Sequence, residues 1–343
     1  MHYFDSTVID GNIYLHQVGN KQNGEPLILS KSEVDIDDTA RKELKRFFLS
    51  HFKQSEYYHF VHESMLSLNE VYNYISSIFD NMDSMSEQSQ YLAKTLFRTC
   101  VHPNIKSGEF YVVHFRNCLI DGVMTDAVGL FKSENKESFL KVLRKEHSFE
   151  VIQEFGVNIN KLDKGCLVFN TNKEEGYVVS IIDNANRGDA KYWVEDFLQV
   201  KRLNDAYTQT QNAVALCKNF ISTLPDNISK SEKAAMMNRI MEGIKEDEVS
   251  IDGLASNAFG SELAASEFTT FRKDYESTHD VCFDNSFQGK QESINSRVVG
   301  KITTIKLDKN FDIKIHSGEQ FIEQGYDKEK GMKFYKLYFH EEK

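Results

Sequence analysis

Three short stretches of this chain hold residue types that chemistry uses, and each is an incomplete set. His59-Phe60-Val61-His62-Glu63 places two histidines three apart beside a carboxylate. On a helix that spacing could ligate zinc, but no third ligand follows at a recognisable distance. Asp35-Ile36-Asp37-Asp38 gathers three carboxylates without the glycine and distal glutamate of a calcium loop, so it reads as helix capping. Asp121, Asp126, Lys132 and Glu134 fall on or beside neighbouring predicted strands, as a metal-dependent nuclease would require. There, however, Lys132-Ser133-Glu134 reverses the usual Glu-x-Lys order. Phosphate loops, G-x-G-x-x-G, G-x-S-x-G and H-E-x-x-H are all missing. The expectation is a protein with no catalytic residues, no metal and no cofactor, with a nuclease kept as an alternative.

The charged residues point elsewhere. From Thr39 to Gln54 the sequence has five basic residues and one acidic residue, a local charge of +4. Leu44, Phe47, Phe48, His51 and Phe52 recur at i, i+3, i+4, i+7 and i+8, which predicts a helix starting at Asp37-Asp38-Thr39. On that helix Lys42, Lys45, Arg46 and Lys53 share the face opposite the apolar one, a stripe suited to DNA phosphates. The single acid, Glu43, falls away from most of the stripe on a helical wheel.

The elements that must hold these residues are strands and helices in blocks. An opening hairpin is expected from Ile13 to Val18 with Leu27 to Ser30. Helices follow over residues 65–79 and 91–101. The period then switches to two, and an antiparallel meander is predicted from residues 110–131, with Asp121-Gly122 as a turn. Further strands are expected over 165–170 and 176–182, with a helix over 138–146 between. From Lys191 to Ile221 the pattern predicts one long or broken helix. Ser229-Lys230-Ser231-Glu232 offers a capping box for the next one, and shorter helices follow near 252–258 and 262–275. Residues 233–275 trace a helix-turn-helix outline. Their last helix sets Arg272 and Lys273 against Glu262, Glu267, Asp274 and Glu276, the wrong sign for a major-groove reader. The chain ends in strands: a hairpin turning at Asp308-Lys309-Asn310, which sets Lys306 against Asp312 as a cross-strand ion pair, and a third strand over 334–339.

The whole chain carries 343 residues, 41 basic and 52 acidic, for a net charge of −11. Between Asp226 and Asp284, 13 acidic residues face six basic ones, so the acid is concentrated and the rest is near neutral. That acidic segment suits a basic protein partner, and an adaptor is a second alternative. The five cysteines lie far apart and read as buried free thiols. No apolar run approaches a membrane span, and the first residues lack a signal-peptide pattern, so a soluble cytoplasmic protein is expected.

Four blocks together resemble one family, the bacterial nucleoid-associated proteins of the NdpA type. They are Leu15-His16-Gln17-Val18, the stretch from Asp121-Gly122 through Asp126-Ala127-Val128-Gly129-Leu130-Phe131-Lys132-Ser133-Glu134, Lys191-Tyr192-Trp193-Val194-Glu195-Asp196-Phe197-Leu198, and Lys306-Leu307-Asp308-Lys309-Asn310-Phe311-Asp312-Ile313-Lys314-Ile315 with Lys333-Phe334-Tyr335-Lys336-Leu337-Tyr338-Phe339. The resemblance implies a non-catalytic DNA-binding protein of the bacterial nucleoid. The fold expected is α+β: residues 1–200 with the antiparallel sheet and helices, an acidic helical segment 201–290, and a small β-rich region 291–343. Partners expected are DNA through its phosphates, with a protein at 226–284 as a further candidate, and no membrane. Oligomeric state is not legible.

Overall fold

Residues 110–115, 127–131 and 165–169 are almost wholly apolar, as strands buried on both faces must be. The computed structural model describes residues 2–52, 56–120, 122–184, 192–225, 227–260, 262–294, 296–316 and 321–341. It shows an α+β chain that divides into two units, Met1–Leu203 and Asn204–Lys343.

The first unit runs β1 (His2–Tyr3), β2 (Val8–Val18), β3 (Leu27–Ile28), α1 (Asp38–Leu49), β4 (Tyr58–Phe60), α2 (Glu70–Asp80), α3 (Met85–Thr99), β5 (Gly108–Ile120), β6 (Val123–Ser133), β7 (Lys136–Arg144), β8 (Phe149–Val157), β9 (Lys164–Phe169), β10 (Val178–Asp183), a π-helical turn (Tyr192–Leu198) and β11 (Val200–Arg202). Among the described residues nine strands form one antiparallel sheet in the order β11-β4-β10-β9-β6-β5-β2-β3, with β1 also on β5. Successive side chains point to opposite faces. One face sets Tyr14, Phe110, Val112, Val128, Leu130 and Val168 under α2, α3 and the π-helical turn, against Ile75, Leu92, Leu96, Trp193 and Phe197. The other sets Ile13, Tyr111, Val113, Phe115, Phe131 and Leu167 under α1. There the Phe48 ring stacks on Phe131 at 4.2 Å between centroids.

Several expectations are corrected here. Residues 138–146 are not helical: β7 pairs with β8 over nine residues, from Lys136↔Val157 to Arg144↔Phe149, in a two-stranded ribbon of its own. Cross-strand pairing decided this, and periodicity read without the partner strand could not. His59 sits on β4 and His62 beyond its end, so the two do not share a helix face; His59 Nδ1 lies 2.9 Å from the Glu175 carbonyl oxygen. The stretch after residue 191 is broken by β11, which pairs with β4 and widens the sheet. The Asp121 of the predicted turn lies outside the described residues, while Gly122 takes φ +83°, a left-handed conformation that favours glycine.

The second unit contains α4 (Ala206–Thr223), α5 (Lys230–Gly243), α6 (Ile251–Phe259), α7 (Glu262–His279), α8 (Ser296–Thr303), β12 (Thr304–Leu307), β13 (Phe311–Lys314), β14 (Ile322–Asp327) and β15 (Met332–Leu337). Phe220 centres its core, with Phe259 and Phe268 at 4.9 and 5.1 Å. The Ser229 capping box forms as its sequence requires: Ser229 Oγ accepts from Glu232 N, and Ser229 N donates to Glu232 Oε2. The hairpin at 308–310 also forms, with Lys306 opposite Asp312. The two are register partners, yet no ion pair joins them. The last strand, β15, does not extend that hairpin; it pairs with β14 in a separate two-stranded sheet. Four cysteines are buried free thiols, but Cys282 is exposed.

Candidate nucleic-acid interface

Helix α1 begins where Asp37 accepts a hydrogen bond from Ala40 N at 2.7 Å, and it buries Phe47, Phe48 and Leu49 against the sheet. That anchoring turns its polar face outward. Lys42 and Arg46 are exposed and Lys45 is half-buried. The stripe is less free than the helical wheel suggests. Arg46 lies 3.7 Å from Glu43 and donates to Asn160 Oδ1 at 3.1 Å, and Lys45 Nζ reaches the Asp5 carbonyl at 3.4 Å. All three contacts are surface ones of small energy, so the cations keep most of their reach. Lys53 lies outside the described residues. Beside α1 lies a cleft of about 640 Å³, lined by Arg46, Ser50, His51, Asn160, Ser180, Asp183 and Asn184 among others. Its lining carries the polar surface of the helix onto the end of β10.

Among the described residues of the nuclease set, Asp126 does not join Lys132 and Glu134. Asp126 is on β6 and Glu134 just past its end, eight residues on, roughly 26 Å at strand rise. Asp126 stands instead beside His114, at 3.6 Å. Lys132 and Glu134 do meet, and with partners the sequence did not suggest. Lys132 Nζ, fully buried, donates to Glu134 Oε1 and the Lys106 carbonyl, both at 2.9 Å, and to Tyr192 Oη at 3.3 Å. Tyr192 Oη donates to Glu134 Oε1 at 2.5 Å. Burial, reinforced by the Glu134 carboxylate, raises the Tyr192 pKa and keeps the phenol protonated. Lys164, also fully buried, donates to Asp183 Oδ1 at 2.8 Å and lies 4.8 Å from the Tyr192 ring centroid. Asp163 accepts from Glu134 N, Asn135 N and Asn135 Nδ2, which fixes the chain after β6.

This ionic cluster sits at one end of the central sheet, where β6 ends, β9 begins and β10 ends. Lys132 and Glu134 come from one block of the family resemblance and Tyr192 from another. Sequence reasoning missed Lys164 and Asp183, although Lys164 opens one apolar run and Asp183 closes another, at the end of a buried strand. Among the described residues, no group of His, Cys, Asp and Glu is placed to hold a metal ion. No described helix is long and apolar enough to cross a membrane.

No curated protein matches the sequence significantly. The family model described as nucleoid-associated protein YejK matches residues 15–331, nearly the whole chain, and the protein therefore belongs to that family of bacterial nucleoid-associated proteins.

Proposed function

We propose that the protein binds DNA in the bacterial nucleoid without regard to sequence and without catalysis, through phosphate contacts made by Lys42, Lys45 and Arg46 of α1. The observation that carries this reading is the division of labour on α1, whose apolar side is buried in the sheet while its cations are left outward. Family membership supports the nucleoid setting, and with it a cytoplasmic location. The negative net charge is compatible with it because −7 of the −11 lies between Asp226 and Asp284, in the other unit. Each phosphate neutralised steepens the log–log dependence of affinity on salt by about 0.9 for duplex DNA. A gel-shift titration at several salt concentrations, with and without magnesium, tests the proposal. Affinity should fall steeply as salt rises, and the DNA should stay intact. Salt-indifferent binding, or cleavage in magnesium, would overturn it.

A further inference from the structure

A second cleft of about 180 Å³ opens beside the ionic cluster, lined by Lys106, Lys161, Lys164, Asn135 and Asn184 among others. We propose that this cleft is a phosphate-binding subsite, with Lys164 at its floor and Lys106 and Lys161 at its rim.

The two buried lysines differ in how their hydrogens are used. An ammonium has three N–H donors. Lys132 finds three oxygen acceptors: Glu134, the Lys106 carbonyl and Tyr192. Among the described residues Lys164 has one hydrogen-bond acceptor, Asp183 Oδ1, and the face of the Tyr192 ring. A buried ammonium with donors to spare favours an anionic ligand within reach. Two of the lining residues, Glu134 and Asp163, are carboxylates that already accept hydrogen bonds, and Asp183 stands beside the cleft. Glu134 takes Lys132 and Tyr192, Asp163 takes two backbone amides and Asn135, and Asp183 takes Lys164. Three lysines also line the cleft, against those two carboxylates. Lys161 and Lys106 are both exposed, and among the described residues Lys106 Nζ donates to Asn135 Oδ1 alone.

Size and position agree with this chemistry. A volume of 180 Å³ holds about six waters at ~30 Å³ each, room for a phosphate group rather than a whole nucleotide. Asn184 lines both clefts, and the adjacent residues Asn160 and Lys161 line one each. The subsite therefore continues the donor band that starts at Arg46. Its phosphate comes from the DNA backbone if the proposed function holds, and from a free phosphate compound if it does not; only the source rests on that reading.

The full-length protein is titrated with inorganic phosphate and, separately, with a duplex. Calorimetry is read alongside the fluorescence of Trp193, the single tryptophan, which directly follows Tyr192. The test variant is Lys106→Glu with Lys161→Glu, both exposed, so folding is spared; Lys164→Met is a second variant, compared if it folds. Phosphate affinity should fall at least tenfold in the rim variant, and duplex affinity should fall with a salt slope reduced by about 1–2. A parent that binds duplex but not phosphate, or a rim variant that binds phosphate like the parent, overturns the subsite and leaves α1 standing. A parent that binds phosphate but no duplex, with the loss still seen in the rim variant, keeps the subsite and removes the DNA reading.

Discussion

His16 on β2 is almost fully buried, accepts a hydrogen bond from Ser30 N at its Nδ1 and has the Phe110 ring beside it at 6.5 Å. Burial lowers its pKa from 6.5 to about 4, so it folds as the neutral ring. The folded value lies below the unfolded one, so its contribution is present above pH 6.5 and is lost as pH falls toward 4. By linkage this amounts to about 2–3 kcal/mol between pH 7 and 4.5. Urea unfolding at those two pH values should show that much less acid sensitivity in His16→Gln than in the parent. Thiols give a second residue-scale expectation. Burial pushes Cys217 up to about 12 and Cys118 to about 11, and raises Cys166 and Cys100 too, while Cys282 is exposed. A maleimide should label one site quickly in the folded protein and all five only after unfolding. Legibility also differs residue by residue. Lys42 and Arg46 were readable because a helix writes its exposed face into local spacing. Lys164 and Asp183 were not, because their meeting with Tyr192 depends on strand register and on a turn distant in sequence.

Elements behaved according to whether their stabilising contacts are local. The capping box of α5 joins residues three apart, and the sequence named it outright. Its removal is a clean test: Ser229→Ala should cost about 1 kcal/mol, seen as a lower urea midpoint at an unchanged slope. The β7–β8 ribbon is the opposite case. Its strands alternate, but among the described residues neither face is deeply buried, so its pairing rather than a core defines it. Leu140, Val142, Val151, Phe149 and Phe155 share one face by register, with Leu140 71% and Phe155 68% exposed. Two strands alone are marginal in water, and an exposed apolar ribbon invites self-association. Leu140→Lys with Phe155→Lys should therefore leave the unfolding free energy within about 0.5 kcal/mol of the parent. The same variant should raise the concentration at which light scattering detects aggregates.

At the scale of the molecule the question is which basic surface meets DNA, because a chain of net −11 cannot bind phosphates by average charge. Two candidates were visible from sequence, α1 and the β12–β13 hairpin. The hairpin's Lys306 and Lys314 are both exposed, but Lys306 faces Asp312 across the ladder, and Asp308 sits in the turn. From Lys306 to Lys314 three lysines meet two aspartates, a local +1, against +4 from Thr39 to Gln54. The field at the helix is the stronger, and α1 also lies beside a polar cleft lined by Ser50, Asn160 and Asn184. The side chains of Lys42, Lys45 and Arg46 make only surface contacts, so reversing their charge removes nothing from the core. The triple variant Lys42→Glu, Lys45→Glu, Arg46→Glu is expected to lose most duplex affinity and to lower the salt slope by about 2–3. Its melting temperature should stay near the parent's. Lys306→Glu with Lys314→Glu should weaken binding less. Equal losses from the two variants would mean that long-range charge, rather than a contact surface, governs association; an α1 variant that binds like the parent would reduce its stripe to a solvated helix face.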